Sequence, residues 1–218
     1  TFNFRRRSAA AHFDKSNIDH IDFTGVKIAH LSGIFPAISM QAREAFRYFA
    51  EQLIAHEIQT TFDPNLRPAL WESQAVMIET INDLAKYGEI VLPGINEGEI
   101  LMGSRDPEKI ADFYLANSDR TQTVVVKLGP EGAYVKNKSG DSYIVKGFNV
   151  KKVVDTVGAG DGFALGLITA LIEGLPMAKA VERGNAVGAL QVQTTGDNDG
   201  YPTRDQLTQY LVSEQKED

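Results

Sequence analysis

Two glycines and an alanine stand directly before an aspartate in Val153-Val154-Asp155-Thr156-Val157-Gly158-Ala159-Gly160-Asp161-Gly162-Phe163. The apolar run that follows reads as a helix, which puts the turn at a helix start. Small residues there let the backbone approach a ligand closely, and N–H groups at the positive end of the helix dipole make an anion site. The turn is not a P-loop, because no Gly-Lys-Ser/Thr closes it. Nor is it a dinucleotide fingerprint, because Phe163 takes the place of that motif's third glycine. Asp161 has two readings: a helix cap, or a general base beside a held phosphate. Phosphoryl transfer suits a weak base so placed, since its loose transition state asks mainly for positioning. Turn and acid together favour kinase chemistry.

The elements that must position this turn alternate along the chain. Strands are expected at residues 26–31, 58–62, 89–92, 123–128 and 150–154, with a hairpin formed by 133–136 and 143–145. Helices are expected at 41–57, 70–86, 96–102, 107–117, 161–173, 177–193 and 204–212, from apolar residues at helical spacing such as Ala42, Ala45, Phe46, Phe49 and Leu53. Thr123 to Leu128 is almost wholly β-branched and apolar, as befits a strand covered on both faces. The pattern gives an α/β domain with a mainly parallel sheet. Ligands of such sheets sit beyond the carboxyl ends of strands. That marks Asp63–Arg67, Pro93–Glu99, Lys127–Gly132 and Asp155–Asp161.

Within those stretches the residue types allow plain readings as well. Asn96 could cap its helix, Glu99 could be a solvated acid, Lys127 an exposed strand-end lysine, and Gly129 and Gly132 turn glycines. Arg67, after a strand-ending Asp-Pro-Asn, offers a planar fork to a carboxylate or phosphate. His12, His20, His30 and His56 lack metal spacing, and no Gly-x-Ser-x-Gly elbow is present.

Composition narrows the classes. A chain of 218 residues, 43% hydrophobic and 23% charged, is one ordinary domain or a large piece of a bigger one, and is not disordered. With no cysteine it offers no thiolate, and a net charge of −7 argues against non-specific nucleic-acid binding. An anion site must therefore be built locally. The longest apolar run, Gly162 to Ile172, is half a membrane span, and Phe4-Arg5-Arg6-Arg7 leads into a mixed polar segment unlike a secretory leader. The expected location is cytoplasmic, with neither membrane nor nucleic acid as partner.

The string Asp155-Thr156-Val157-Gly158-Ala159-Gly160-Asp161 resembles the C-terminal signature of the PfkB (ribokinase-like) carbohydrate kinases. The likeness runs along the chain through Asn96-Glu97-Gly98-Glu99 and Lys127-Leu128-Gly129-Pro130-Glu131-Gly132. Within the family it is most similar to kinases of 2-keto-3-deoxygluconate, through Phe62-Asp63-Pro64-Asn65-Leu66-Arg67-Pro68 with Trp71 and the closing Gly200-Tyr201-Pro202-Thr203. The resemblance implies a ribokinase-like three-layer α/β/α fold and an ATP- and Mg²⁺-dependent sugar kinase acting on a small sugar acid. It implies that Gly158, Ala159 and Gly160 form the anion hole for the γ-phosphate and that Asp161 deprotonates the sugar hydroxyl. Lys127 to Gly132 would wrap the nucleotide, with Asn185 near the adenine. Asn65 and Arg67 would serve the nucleotide phosphates, Arg67 also the substrate, while Asn96 and Glu99 orient phosphate and hydrated Mg²⁺. Arg5, with Asn3, matches a position that reaches the sugar acid; three consecutive arginines could equally form a solvated basic edge.

The family begins with strands bearing a Gly-Gly element and a small β lid, so the chain is read as the C-terminal two thirds. Residues 1–15 are then the tail of the lid and 16–218 the nucleotide-binding and catalytic core, with the first strands and most of the lid missing. A homo-oligomer formed through the lid is a possible assembly. Two other readings stay open: a kinase of a neutral sugar or nucleoside, and a nucleotide-binding fragment without catalysis.

Overall fold

The computed structural model describes residues 8–214. Six strands join in sequence order into one sheet: β1 (Ile28–Ser32), β2 (Gln59–Asp63), β3 (Ile90–Val91), β4 (Thr123–Lys127), β5 (Gly132–Asn137) and β6 (Ser142–Lys146). The first four are parallel, with Leu31 opposite Phe62, Thr61 opposite Ile90 and Ile90 opposite Thr123. The helices are α1 (Lys15–Ile18), α2 (Met40–Ala55), α3 (Gln74–Leu84), α4 (Ile95–Met102), α5 (Pro107–Asn117), α6 (Ala159–Ile172), α7 (Met177–Gln191) and α8 (Arg204–Glu214). Helices α2 to α5 lie in the crossovers that parallel pairing requires, whereas the few residues between β4, β5 and β6 can only reverse the chain. The sheet is therefore mixed.

Two compact units divide the chain. One runs to Val126 and takes in Lys136–Asp141; the other holds Lys127–Val135 and the residues from Ser142 onward.

In the first unit, Val91, Leu92 and Val124 to Val126 are wholly buried, the near-continuous apolar character of strands covered on both faces. Helix α2 turns Ala42, Ala45, Phe46, Ala50 and Leu53 inward, and the Phe46 ring stands edge-on to Phe62 at 6.1 Å. Its start is set by Ser39, whose hydroxyl accepts from the Ala42 N–H at 3.1 Å. Helix α3 begins later than its apolar spacing suggests. Pro68 opens a short 3₁₀ turn, and Ser73, accepting from Val76 N–H at 3.2 Å, is the true cap.

In the second unit, α6 and α7 pack through small residues. A Cβ on Gly166 would stand 2.6 Å from the Arg183 carbonyl oxygen, so the two backbones meet where side chains would otherwise intervene. The strand expected at residues 150–154 is absent. The Val154 and Asp155 N–H groups both turn to the Val192 carbonyl just beyond α7, at 2.8 and 3.3 Å, and Val153 and Val154 are exposed. β-branched composition favours a strand only where a neighbouring strand offers a pleated surface, and this segment instead follows a helix end. Three of the four loops singled out thus follow strands; Asp155–Asp161 does not.

Candidate active site

In the second unit the glycine turn is held from several sides. Gly158 is the N-cap of α6 at φ +78°, and a Cβ there would collide with the Asp197 carbonyl oxygen. The Gly158 carbonyl accepts from Gly162 N–H at 2.8 Å and from the Tyr201 hydroxyl at 3.1 Å. Burial pushes the Tyr201 phenol above its ordinary range, and the carboxylates of Asp161 and Asp197 add to the shift, so Tyr201 stays a protonated donor. Behind the turn, the fully buried Gln191 donates to the carbonyls of Val157 (3.1 Å) and Gly196 (2.6 Å) and accepts from Gly200 N–H (3.0 Å). Asp155 accepts from Val157 N–H at 3.0 Å.

The consequence is a fixed direction for the first amides of α6. Ala159, Gly160 and Asp161 open the helix, where N–H groups lack intrahelical acceptors and carry the dipole's positive end. Ala159 reaches back to the Thr156 carbonyl over a long 3.4 Å. Asp161 is exposed at the third helical position; the cap position is Gly158's, so the helix-cap reading of Asp161 does not hold. Lys127 ends β4 with its Nζ 3.8 Å from where a Cβ of Gly160 would sit, which brings a cation beside the turn.

The glycines after Lys127 are conformational: Gly129 and Gly132 have φ +65° and +100°. Gly132 lies against the end of β6, where a Cβ would collide with the Val145 carbonyl oxygen. Asn185 of α7 is buried there, its amide donating to the Val145 and Lys146 carbonyls at 3.1 Å each. Its N–H₂ group thus anchors the end of β6.

In the first unit, β2 ends at the buried Asp63, whose Oδ1 accepts from Asn65 N–H at 3.1 Å. Asn65 is one of two non-glycine residues with positive φ among those described, at +41°. Arg67 is half-buried within its own loop. Its guanidinium folds back onto the Asn65 side-chain oxygen (2.7 Å) and the Leu66 carbonyl (2.9 Å). After β3, Gly94 is the N-cap of α4 and Asn96 its second residue, so the capping reading of Asn96 fails too. Asn96 and Glu99 are exposed and three residues apart on one face. Arg105 bridges them, its Nη1 at 2.7 Å from Asn96 Oδ1 and 2.8 Å from Glu99 Oε2. No group of three or more His, Cys, Asp or Glu suited to a metal occurs among the described residues. The Asn96–Glu99 pair nevertheless accepts a cationic group already, which fits the outer oxygens of a hydrated divalent ion. Asn3 and Arg5 lie outside the described residues.

Three residues escaped the sequence reading. Glu97 accepts from Gly94 N–H at 2.7 Å and from Leu66 N–H at 2.9 Å; the glutamate three residues after a cap was the available signal. Tyr201 stood in the quoted Gly-Tyr-Pro-Thr string with no role attached. Arg105 had no signal, since only the α4–α5 turn brings it to Asn96.

Comparison with known proteins identifies the family. Residues 1–204 match the pfkB family carbohydrate kinase profile. The chain is 44% identical over 212 residues to a 2-dehydro-3-deoxygluconokinase of Bacillus subtilis (strain 168), covering 97% of this chain and 64% of the relative. It is 32% identical over 201 residues to an enzyme of the same name from Thermoproteus tenax, covering 92% and 59%. The crystal structure of a PfkB protein from Polaromonas sp. JS666 superposes with a TM-score of 0.81 at 43% identity, over 94% of this chain and 64% of that one. The chain therefore spans less than two thirds of the length of each.

The turn's dependence on Gly158 has a clean control. Gly158→Ala is expected to lower stability by about 2–4 kcal/mol, from the left-handed backbone plus the collision with Asp197. Gly25 has the same sign of φ, +77°, but open space around it, so Gly25→Ala should cost only about 1 kcal/mol. Equal shifts in the denaturation midpoints of the two variants would contradict the close approach at Gly158.

Proposed function

The chain belongs to the pfkB family of carbohydrate kinases, and on that premise we propose that it carries the catalytic core of an ATP-dependent kinase phosphorylating a hydroxyl of 2-keto-3-deoxygluconate. The carrying observation is the braced turn of Gly158, Ala159 and Gly160 with Asp161 at its foot and Lys127 beside it. The two relatives named for this activity support the substrate class.

In this reading the amides of the turn hold the γ-phosphate, and the Lys127 ammonium offsets its charge. The acceptor hydroxyl oxygen forms a bond to the γ-phosphorus, the bond from that phosphorus to the β–γ bridging oxygen breaks, and the hydroxyl proton passes to the Asp161 carboxylate. ADP leaves with the bridging oxygen. Lys127 to Gly132, through Gly129, line the nucleotide, and Asn185 holds the adjoining β6 end in place. Asn65 and Arg67 meet phosphate or the sugar-acid carboxylate; from there Arg67 would have to release its fork from Leu66. Asn3 and Arg5 reach the sugar acid, with residues 1–15 as the tail of a lid and 16–218 as the core. A divalent ion, Mg²⁺, neutralises phosphate charge when bound, and Asn96 and Glu99 are the residues that would hold it through water.

Asp161→Asn, made in the protein that carries this chain, is expected to reduce kcat by on the order of 10² to 10⁴-fold with nucleotide binding retained. The wild-type protein should prefer 2-keto-3-deoxygluconate to fructose and ribose. Wild-type turnover in the variant would remove the base assignment, and a preference for neutral sugars would remove the acid specificity.

Arg105 makes a second, smaller prediction. Its pair with Glu99 is half exposed on both sides, the kind of contact that weighs little. If it competes with the divalent ion for Asn96 and Glu99, Arg105→Gln should lower the Mg²⁺ concentration for half-maximal activity about two- to five-fold. An unchanged or raised requirement would contradict the competition.

A further inference from the structure

Glu97 sits between Asn96 and Glu99 in α4 and shares neither of the roles proposed for them. Its half-buried carboxylate takes one N–H group from each of two loops. Oε2 accepts from Gly94 at the mouth of α4 (2.7 Å), and Oε1 accepts from Leu66 in the loop after β2 (2.9 Å). A helix cap needs only the first bond. The second links residues 31 positions apart and does nothing for α4 itself.

The loop it reaches needs such a hold. Asn65 is kept in the left-handed region at φ +41°, which a non-glycine side chain resists. Arg67 bonds to acceptors of its own loop, on Asn65 and Leu66, so the guanidinium goes wherever that backbone goes. Two consecutive amides of the loop are then fixed by two acids: Asn65 N–H by Asp63 and Leu66 N–H by Glu97. Both carboxylates lie close to the Tyr114 phenol, which is driven upward first by its complete burial and then by the negative charges of Glu97 and Asp63. A partly buried site of this kind strengthens charge-assisted bonds from backbone N–H groups to a carboxylate.

From this geometry we infer that Glu97 is a positioning residue that sets the Arg67 loop in register with the Asn96–Glu99 face of α4. The consequence for catalysis rests on the kinase reading above; the mechanical link does not. The carboxylate stands on α4 beside the Asn96–Glu99 pair and fixes against that helix the loop whose arginine meets an anionic substrate.

Glu97→Gln keeps the size but exchanges one acceptor oxygen for an NH₂ group. The local Gly94 bond should retain the remaining oxygen, which turns the NH₂ toward Leu66 N–H. Amide hydrogen exchange in the unliganded protein should then quicken at Leu66 by at least about ten-fold while Gly94 stays protected. In kinetics, KM for the substrate met by Arg67 should rise. Combined with Arg67→Ala, Glu97→Gln should add nothing further, because it acts through Arg67. Asp106→Asn is the control. It caps α5 with bonds to Glu108 (3.0 Å) and Lys109 (3.4 Å), and should lower stability with KM unmoved. If Glu97→Gln does not fold, Glu97→Asp keeps the charge but falls a methylene short of Leu66 and is read the same way. Unchanged exchange at Leu66, or additive losses in the double variant, would overturn the inference. A wild-type protein that phosphorylates no sugar would overturn the kinase reading alone, because the exchange measurement still decides the link.

Discussion

Around the start of α6 the second unit holds one feature from several sides, a glycine turn whose backbone conformation admits no Cβ at Gly158. A helix start carries unsatisfied donors wherever it occurs, and most such starts turn them to water or to a capping side chain. Here the cap is a glycine in the left-handed region, and the chain behind it leaves no room for a Cβ. No side chain folds over the amides from the cap position. Tyr201 and Gln191 spend their hydrogen bonds on the carbonyls of the turn, on the side away from the donors. The turn's carbonyls are satisfied, and no cap side chain takes the amides to which the proposed function assigns the phosphate.

Charge follows the same economy of placement. The chain is acidic overall, so the proposed hold on a phosphate has to come from groups within a few ångströms, where screening matters least. In one unit Lys127, at the end of β4, brings its ammonium beside Gly160. In the other, Arg67 and Arg105 each lie on nearby oxygens: Arg67 on its own loop, Arg105 on Asn96 and Glu99. Arg105 is exposed, and such a guanidinium is loosely held, whereas Arg67 is half-buried on its own loop. Glu97 differs in what it joins: its carboxylate takes backbone N–H groups from two loops, which suits it to fixing geometry.

Much of this was legible in the sequence, and the exceptions have physical reasons. The crossovers, the buried parallel strands and the β5–β6 hairpin follow from apolar periodicity and turn residues, and the glycine turn was visible because its residue types are so restricted. Val150 to Val154 misled because composition reports a preference for pleated surface without reporting whether a neighbouring strand exists. Helix α3 started late because a serine cap outweighs apolar spacing extended toward Pro68. The bonds of Arg67 to its own loop were not legible, because a sequence shows a side chain's chemistry and not the acceptors its backbone places nearby. Glu97 stayed hidden in a motif whose flanking residues drew the attention, since its second bond is to an amide 31 positions away.

The central claim is that the first amides of α6 grip the phosphoryl group that moves. Backbone amide resonances of Ala159, Gly160 and Asp161, followed while the protein is titrated in turn with ADP and with a non-hydrolysable ATP analogue, address it directly. The account predicts large shifts at these three amides with the analogue and little change with ADP, which lacks the third phosphate. Equal responses to both nucleotides, or no response to either while other residues report binding, would contradict it.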